Sequence, residues 1–296
     1  MSWLSKFPTL GDAELRLLKQ NVDMIFRGFT REYGNAIEAI FDPLKDLLIF
    51  SEKLFINTPW PLMIGVLALL AWIASRSWKI VVWLILTLAL IGFFGMWEDT
   101  MKTLSMILIS TIFAIMVGLP IGIAMSRSDR MQNIVIPVLD VMQTMPSFVY
   151  LIPVVMLLGI GKVPGMIAIV TYAVPPSIRF ANLGIRLVDS ALLEAADAFG
   201  TPAWKRLFRI QLPLALPTIM GGINQTVMMA LAMVVIAAMI GVTGLGQPVL
   251  KSITNQYFTL GVFNGLAIVG IAIMIDRVTQ AYGLRLQKHL EAGQHA

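Results

Sequence analysis

The sequence contains no cysteine, which excludes a disulfide framework, a thiol nucleophile and a thiolate metal site. Histidine is nearly as scarce: the only two, His289 and His295, lie within the last eight residues, where a mobile tail is expected. Charge is thin as well, at 13% of residues, against roughly 25% in an average soluble domain. No HExxH, no GxxxxGK[ST] and no pair of acids within one apolar run occurs, so a membrane-embedded enzyme lacks its parts and any ATP must be bound by another chain. Gly241-x-x-Gly244-x-Gly246 superficially matches a dinucleotide glycine pattern, but it follows a lipid-length apolar run rather than opening a strand–turn–helix unit. Internal repeats, low-complexity tracts and Gly/Ser linkers are absent too.

What the chain does have is apolar length. It is 57% hydrophobic, with uncharged runs at 54–75, 80–97, 103–126, 131–161 (broken only by Asp140), 163–178, 210–250 and 252–275. A spanning helix needs roughly 17–25 residues, so the expected fold is all-α and membrane-integral, with about seven spans. The fifth run is short and is expected to end at Pro175-Pro176. The sixth is too long for one helix, and its span is placed at Leu216–Ile240. Residues 1–53, which show no cleavable-signal pattern, form an amphipathic tail. Leu15, Leu18, Val22, Ile25, Phe26 and Phe29 make one helical stripe there, and Asp42-Pro43 is read as opening a second helix. Such a tail suits either the bilayer surface or a packing partner.

The net charge of +5 follows from positive-inside bias rather than from nucleic-acid binding. Arg76, Lys79, Arg127, Arg130, Arg179, Arg186, Lys205, Arg206, Arg209, Arg277, Arg285 and Lys288 fall on one side, with Lys102, Lys162 and Lys251 on the other. Twelve against three places the N-terminus outside and the C-terminus in the cytoplasm. The long polar interruption at Glu194–Pro213 is then cytoplasmic. It reads as two short helices: Asp189 caps the first, Gly200 stops it, Thr201-Pro202 starts the second, and Pro213 ends it.

Glu194-Ala195-Ala196, three residues, Gly200, nine residues, then Ile210, one residue, Leu212 and Pro213 resembles the cytoplasmic coupling-loop signature of the membrane subunits of bacterial binding-protein-dependent ABC importers. The stretches Met142–Val154 and Leu216–Gly246, with Pro175-Pro176, are similar to the glycine betaine/proline branch of those permeases. The resemblance implies a transport core over 100–277 with a coupling loop at 189–213, preceded by two additional spans at 54–99 and followed by a cytoplasmic tail at 278–296. It also implies a bacterial inner-membrane location and three protein partners: a cytoplasmic ATPase that binds ATP and Mg, an external solute-binding protein, and a second permease copy. Glu194, Ala195, Ala196, Phe199, Gly200, Ile210, Leu212 and Pro213 would carry the coupling. No catalytic residue, metal site or cofactor is expected in this chain.

Gln143, Thr144, Met145, Pro146, Phe148 and Tyr150 lie in the most irregular part of any run and are candidates for the solute pathway, since broken backbone within a membrane is tolerated beside protein or water. Asp140 is either functional or hydrogen-bonded to a neighbouring helix. Asn224, Gln225 and Asn264 read first as interhelical contacts, and the 19 methionines as adaptable packing. Glycine betaine leads among solutes, with a choline or carnitine permease, or a passive osmotic channel, as alternatives.

Overall fold

The structure, a computed structural model, describes residues 9–294. Residues 1–8 and 295–296, the extremities of the two expected tails, and with them His295, lie outside the described residues. The described chain has no strand. In order, α1 spans Asp12–Asn57, α2 Trp60–Ser75, α3 Trp78–Phe93, α4 Trp97–Arg127, α5 Asp129–Thr144, α6 Leu151–Leu158 and α7 Lys162–Arg186. These are followed by α8 at Ser190–Ala198, α9 at Ala203–Arg206, α10 at Leu212–Ala237, α11 at Gly246–Asn255 and α12 at Phe258–Gln294.

Four helical stretches are long and apolar enough to cross a membrane alone: Trp97–Arg127, Lys162–Arg186, Ala203–Ile240 and Phe258–Gln287. The rest of the expected passes are short or broken. α2 and α3 have 16 residues each, about 24 Å of helix, which falls short of a hydrocarbon core of roughly 30 Å and leaves the flanking residues or a locally thinner bilayer to make up the difference. Run 131–161 is not one straight helix, because α5 and the segment Ser147–Leu158 meet at 109°.

Three prolines read as helix boundaries are traversed instead. α1 continues through Pro43, so the tail is one 46-residue helix rather than two. α7 continues through Pro175 and Pro176 to Arg186, both rings being buried. The tail after Arg277 is likewise helical, as the continuation of α12. A proline opposes a helix chiefly by removing a donor and crowding the preceding turn, and α7 tolerates two because it is packed against α4 and α10.

That packing rests on small residues. A Cβ at Gly122 of α4 would lie 2.6 Å from both Ala181 Cβ and the Ile178 carbonyl of α7, and one at Gly118 would lie 1.8 Å from Ser177 Oγ. On the other side of α7, a Cβ at Gly222 of α10 would lie 2.5 Å from Phe180 Cβ. Backbones therefore approach closely along α4, α7 and α10, as glycine and serine allow in membrane bundles. Asn224 is a cross-link: its Nδ2 donates to Asp276 at 2.9 Å and Thr279 Oγ1 donates to it, joining α10 to α12, whereas Asn264, expected to be one too, donates to the Leu260 carbonyl of its own helix at 2.9 Å.

The bundle has two distinct ends. At one, Arg285 of α12 donates to the Ile73 carbonyl of α2 and Arg186 of α7 to the Met125 carbonyl of α4, beside the loop 189–213. At the other, Lys162 pairs with Glu52 at 2.5 Å, Gly161 donates to Ile240, and Leu245 donates to Thr103 at 2.9 Å. α1 meets α2 at 109° at this second end, lying across the bundle rather than along it.

Candidate functional site

The loop 189–213 is built by local hydrogen bonding. Asp189 accepts from Ala191 N at 2.9 Å and caps α8. At the far end Gly200 takes φ +68°, with its N–H donating to the Asp197 carbonyl and Thr201 N–H to the Ala196 carbonyl, both at 2.9 Å. These two bonds are a Schellman closure, which satisfies carbonyls the helix would otherwise leave open. The Asp197 carboxylate also receives Arg206, tying α8 to α9. The second helix begins at Ala203, one residue later than expected, with Pro202 before it.

Pro213 does not end that helix. Residues Leu207–Gln211 form a π-helical turn in which Leu212 N–H donates to the Leu207 carbonyl, and the helix runs on into α10. The wider turn just upstream of the ring relieves the crowding that a proline imposes on an α-helical turn. Ile210 and Leu212 are therefore part of one rod joining the loop to a span.

The loop also exposes apolar surface. Ala196 and Leu207 are buried, but Phe199 is 89% exposed, Trp204 64% and Phe208 48%, the last two rings packing with centroids 4.2 Å apart. Glu194 and Ala195 face outward with them. Leu192, Ala195 and Phe199, at helical spacing with Ala196, thus do not close onto this chain, and only Ala196 does. Trp204 and Phe208 were not singled out from sequence, although their i, i+4 spacing beside a basic run was the available signal.

The second candidate region is the break between α5 and α6. α5 stops at Thr144, whose hydroxyl turns back to the Asp140 and Val141 carbonyls at 3.0 and 3.1 Å. Met145 N–H donates to Val141, Pro146 lacks a donor, and Ser147–Tyr150 form a 3₁₀ turn with Val149 N–H donating to Pro146 at 2.9 Å. Gln143, Thr144 and Pro146 are exposed, Met145 is half-buried and Phe148 is 54% exposed. Tyr150 is only 5% exposed, with its hydroxyl donating to the Met142 carbonyl and its ring edge-on to Tyr172 at 5.7 Å. Of the two aromatic faces expected here, only Phe148 is open, because the Tyr150 hydroxyl is drawn inward to a carbonyl on the other side of the bend.

Asp140 is paired with Arg179 of α7. Arg186 makes three contacts at once: Asn182 Oδ1 at 3.1 Å, the Met125 carbonyl at 3.0 Å and Asp129 at 2.7 Å. Arg127 reaches the Ala203 carbonyl in the loop at 3.1 Å. These arginines entered the sequence reading only as a charge count, since nothing local names their partners.

The family described as "Binding-protein-dependent transport system inner membrane component" matches residues 114–288. The chain is 47% identical over 241 residues to the glycine betaine/proline betaine transport system permease protein ProW of Escherichia coli (strain K12), covering 81% of this chain and 68% of that protein. It is 42% identical over 259 residues to the glycine betaine/carnitine transport permease protein GbuB of Listeria monocytogenes serotype 1/2a (strain 10403S), covering 87% and 90%. An inward-facing conformation of the MetNI methionine ABC transporter superposes with a TM-score of 0.57 at 19% identity, over 62% of this chain and 93% of that one, which establishes a shared fold. With the family pattern covering more than half of the chain, including the broken pass, α7, the loop and α10, this chain belongs to the inner-membrane components of binding-protein-dependent transport systems.

Proposed function

We propose that this chain is the membrane-spanning subunit of an ATP-driven importer for glycine betaine or a related quaternary-ammonium or proline-like compatible solute. The observation that carries the reading is the rigidly closed loop with Phe199 at its exposed apex, in a chain of this family. Glu194, Ala195, Phe199 and Gly200 present the docking surface, with buried Ala196 seating the helix behind them, to a separate cytoplasmic ATPase, which binds ATP and Mg and performs the hydrolysis. Ile210, Leu212 and Pro213 lie where the loop becomes α10, so a push on the loop is delivered to a span. This chain is non-catalytic and needs no cofactor of its own. Closure of the ATPase then shifts the population between inward- and outward-open arrangements.

In this reading the loop end of the bundle is cytoplasmic and the end bearing Lys162 and α1 is external, in keeping with the distribution of basic residues. A second copy completes the pathway and an external binding protein delivers the solute. The lateral course of α1 suits the outer membrane surface.

Glycine betaine heads the solutes because it appears in the names of both relatives. Its ammonium cannot deprotonate, so passage calls for polar and aromatic groups without a deep charged trap. Gln143, Thr144 and the open ring of Phe148 supply these, while Met145, Pro146 and Tyr150 set the bend that presents them. Contact with one ring contributes about 0.5–2 kcal/mol, enough to guide a cation without holding it.

Uptake of labelled glycine betaine into vesicles carrying this chain, its ATPase and its binding protein tests the assignment. ATP-dependent uptake competed by proline betaine, and weakly or not at all by sugars, is expected. Import of a sugar or an anion with exclusion of every quaternary-ammonium compound would overturn the solute, and solute flux without ATP would favour a channel.

A further inference from the structure

The half-helix α5 is held to its neighbours by a narrow apolar seam, with Met131, Val135, Ile136 and Met142 partly buried, and by two ion pairs at its edge. Leu139 is its one fully buried side chain, while Ile134, Val138 and Val141 are 69%, 54% and 63% exposed. Its inner side rests on a small apolar cluster with Met125, Val174 and Ile178. Apolar contact of this kind opposes separation but sets register weakly, being non-directional. Two partly exposed ion pairs, whose acids are 84% and 56% exposed, add directional contacts to that seam. Asp129 meets Arg186 and Asp140 meets Arg179. The acids are eleven residues apart, about three turns, and the arginines seven apart, about two turns, so each pair of like residues lies on one face of its helix. Arg186 also holds the Met125 carbonyl, fixing the α4–α5 corner to the same point of α7.

The position of this two-point clasp gives it a role. Past Arg186, α7 passes through three residues into α8, the docking helix of the loop. Past Asp140, α5 runs four residues to the 109° break that carries the pathway candidates. A single contact would let α5 pivot when the end of α7 moves. Two contacts on one face oblige it to follow in both position and tilt. Arg127, reaching from the end of α4 to the Ala203 carbonyl, attaches the same corner to the far side of the loop.

We infer that Arg179 and Arg186 are positioning residues for coupling: through Asp140 and Asp129 they make α5 move with the docking loop, so that ATPase closure is converted into displacement of the Gln143–Phe148 segment. This rests on the importer reading above and assigns to a named set of side chains the connection between loop and pathway.

The Asp140–Arg179 pair is the cleaner to test, since Arg186 serves three acceptors. Asp140→Arg, Arg179→Asp, the exchanged double variant and the neutral double variant Asp140→Asn with Arg179→Gln are reconstituted with the ATPase and binding protein. ATP hydrolysis and glycine betaine import are then measured on the same vesicles. Each single reversal is expected to hydrolyse ATP within twofold of wild type while importing at least fivefold less solute per ATP. The neutral pair should show the same loss in milder form, and the exchanged pair should return to within twofold of the wild-type ratio. A residue that merely supports the fold would lower hydrolysis and import together. An exchanged pair no better than the single reversals, or a neutral pair with the wild-type ratio, would overturn the inference, and the neutral pair decides the matter if the reversals fail to assemble. Absence of ATP-dependent import by wild type would instead count against the importer reading itself.

Discussion

Gly122 and Gly200 both occupy positions that resist a larger residue, for opposite reasons. At Gly122 the backbone is ordinary helix and the space is missing, since an added Cβ would sit 2.6 Å from an Ala181 side chain and an Ile178 carbonyl. At Gly200 the space is open, with nothing within 4 Å, and the backbone is the constraint, at φ +68°. The seam between α4 and α7 is therefore a packing device and the loop 189–213 a shape device. The first is expected to govern whether the protein folds. The second, in the function proposed above, is expected to govern whether a folded protein couples.

The largest effect should come from the seam. Gly122→Val places a branched side chain against backbone that cannot yield, and overpacking of this kind costs about 3 kcal/mol. Loss of most monodisperse protein after detergent extraction is expected, and normal yield with a normal melting temperature would show that the seam is looser than drawn. Gly200→Val should act next in size and differently in kind. A left-handed backbone costs a non-glycine residue roughly 1–2 kcal/mol, felt only locally because no neighbour is struck. Extraction yield should stay near wild type while ATP-dependent import falls at least tenfold, and Gly200→Asn, which tolerates this region, should recover most of it.

Between these two regions lies the reason why some of the molecule was readable in sequence and some was not. Asp189, Gly200 and Thr201 act through neighbours two to five residues away, so turn chemistry alone places the two ends of α8. The apolar runs were equally visible as candidate spans. Proline misled at Pro43, Pro175-Pro176 and Pro213, because each was read as if its helix stood alone. In the fold, a π turn upstream of Pro213 and close packing of α7 carry the helix through. The break in 131–161 was legible as irregular composition, but the 109° bend was not, since it depends on Tyr150 reaching Met142 and packing on Tyr172. Asn224 read correctly as a cross-link, yet Asp276 escaped notice because it sits just past the apolar run that defined the last span.

Within the loop, exposure rather than backbone shape can be probed. Phe199→Ala removes the apex ring without touching the Schellman closure, and loss of an exposed aromatic anchor at a protein interface costs about 2 kcal/mol. Affinity for the ATPase should weaken roughly thirtyfold while the stability of the isolated chain is unchanged. Equal capture of the ATPase would move the docking surface to Trp204 and Phe208.

The smallest effects belong to the break. Phe148→Ala should slow turnover roughly two- to thirtyfold and leave the half-saturating solute concentration, set by the binding protein, within twofold of wild type, in keeping with about 0.5–2 kcal/mol for one cation–π contact. Tyr150→Phe should instead lower thermal stability, by about 1 kcal/mol for the lost hydrogen bond. If Phe148→Ala changes half-saturation and not turnover, the open ring binds the resting solute rather than guiding its passage.

The division between a folding seam and a coupling loop is tested most directly by measuring solute imported and ATP hydrolysed in the same vesicles for wild type and Gly200→Val. Wild type should import glycine betaine only with ATP, and Gly200→Val, present in the membrane at wild-type level, should lose at least nine-tenths of that import. Import that persists without ATP in wild type, or that is undiminished in Gly200→Val, would contradict the assignment of coupling to the loop.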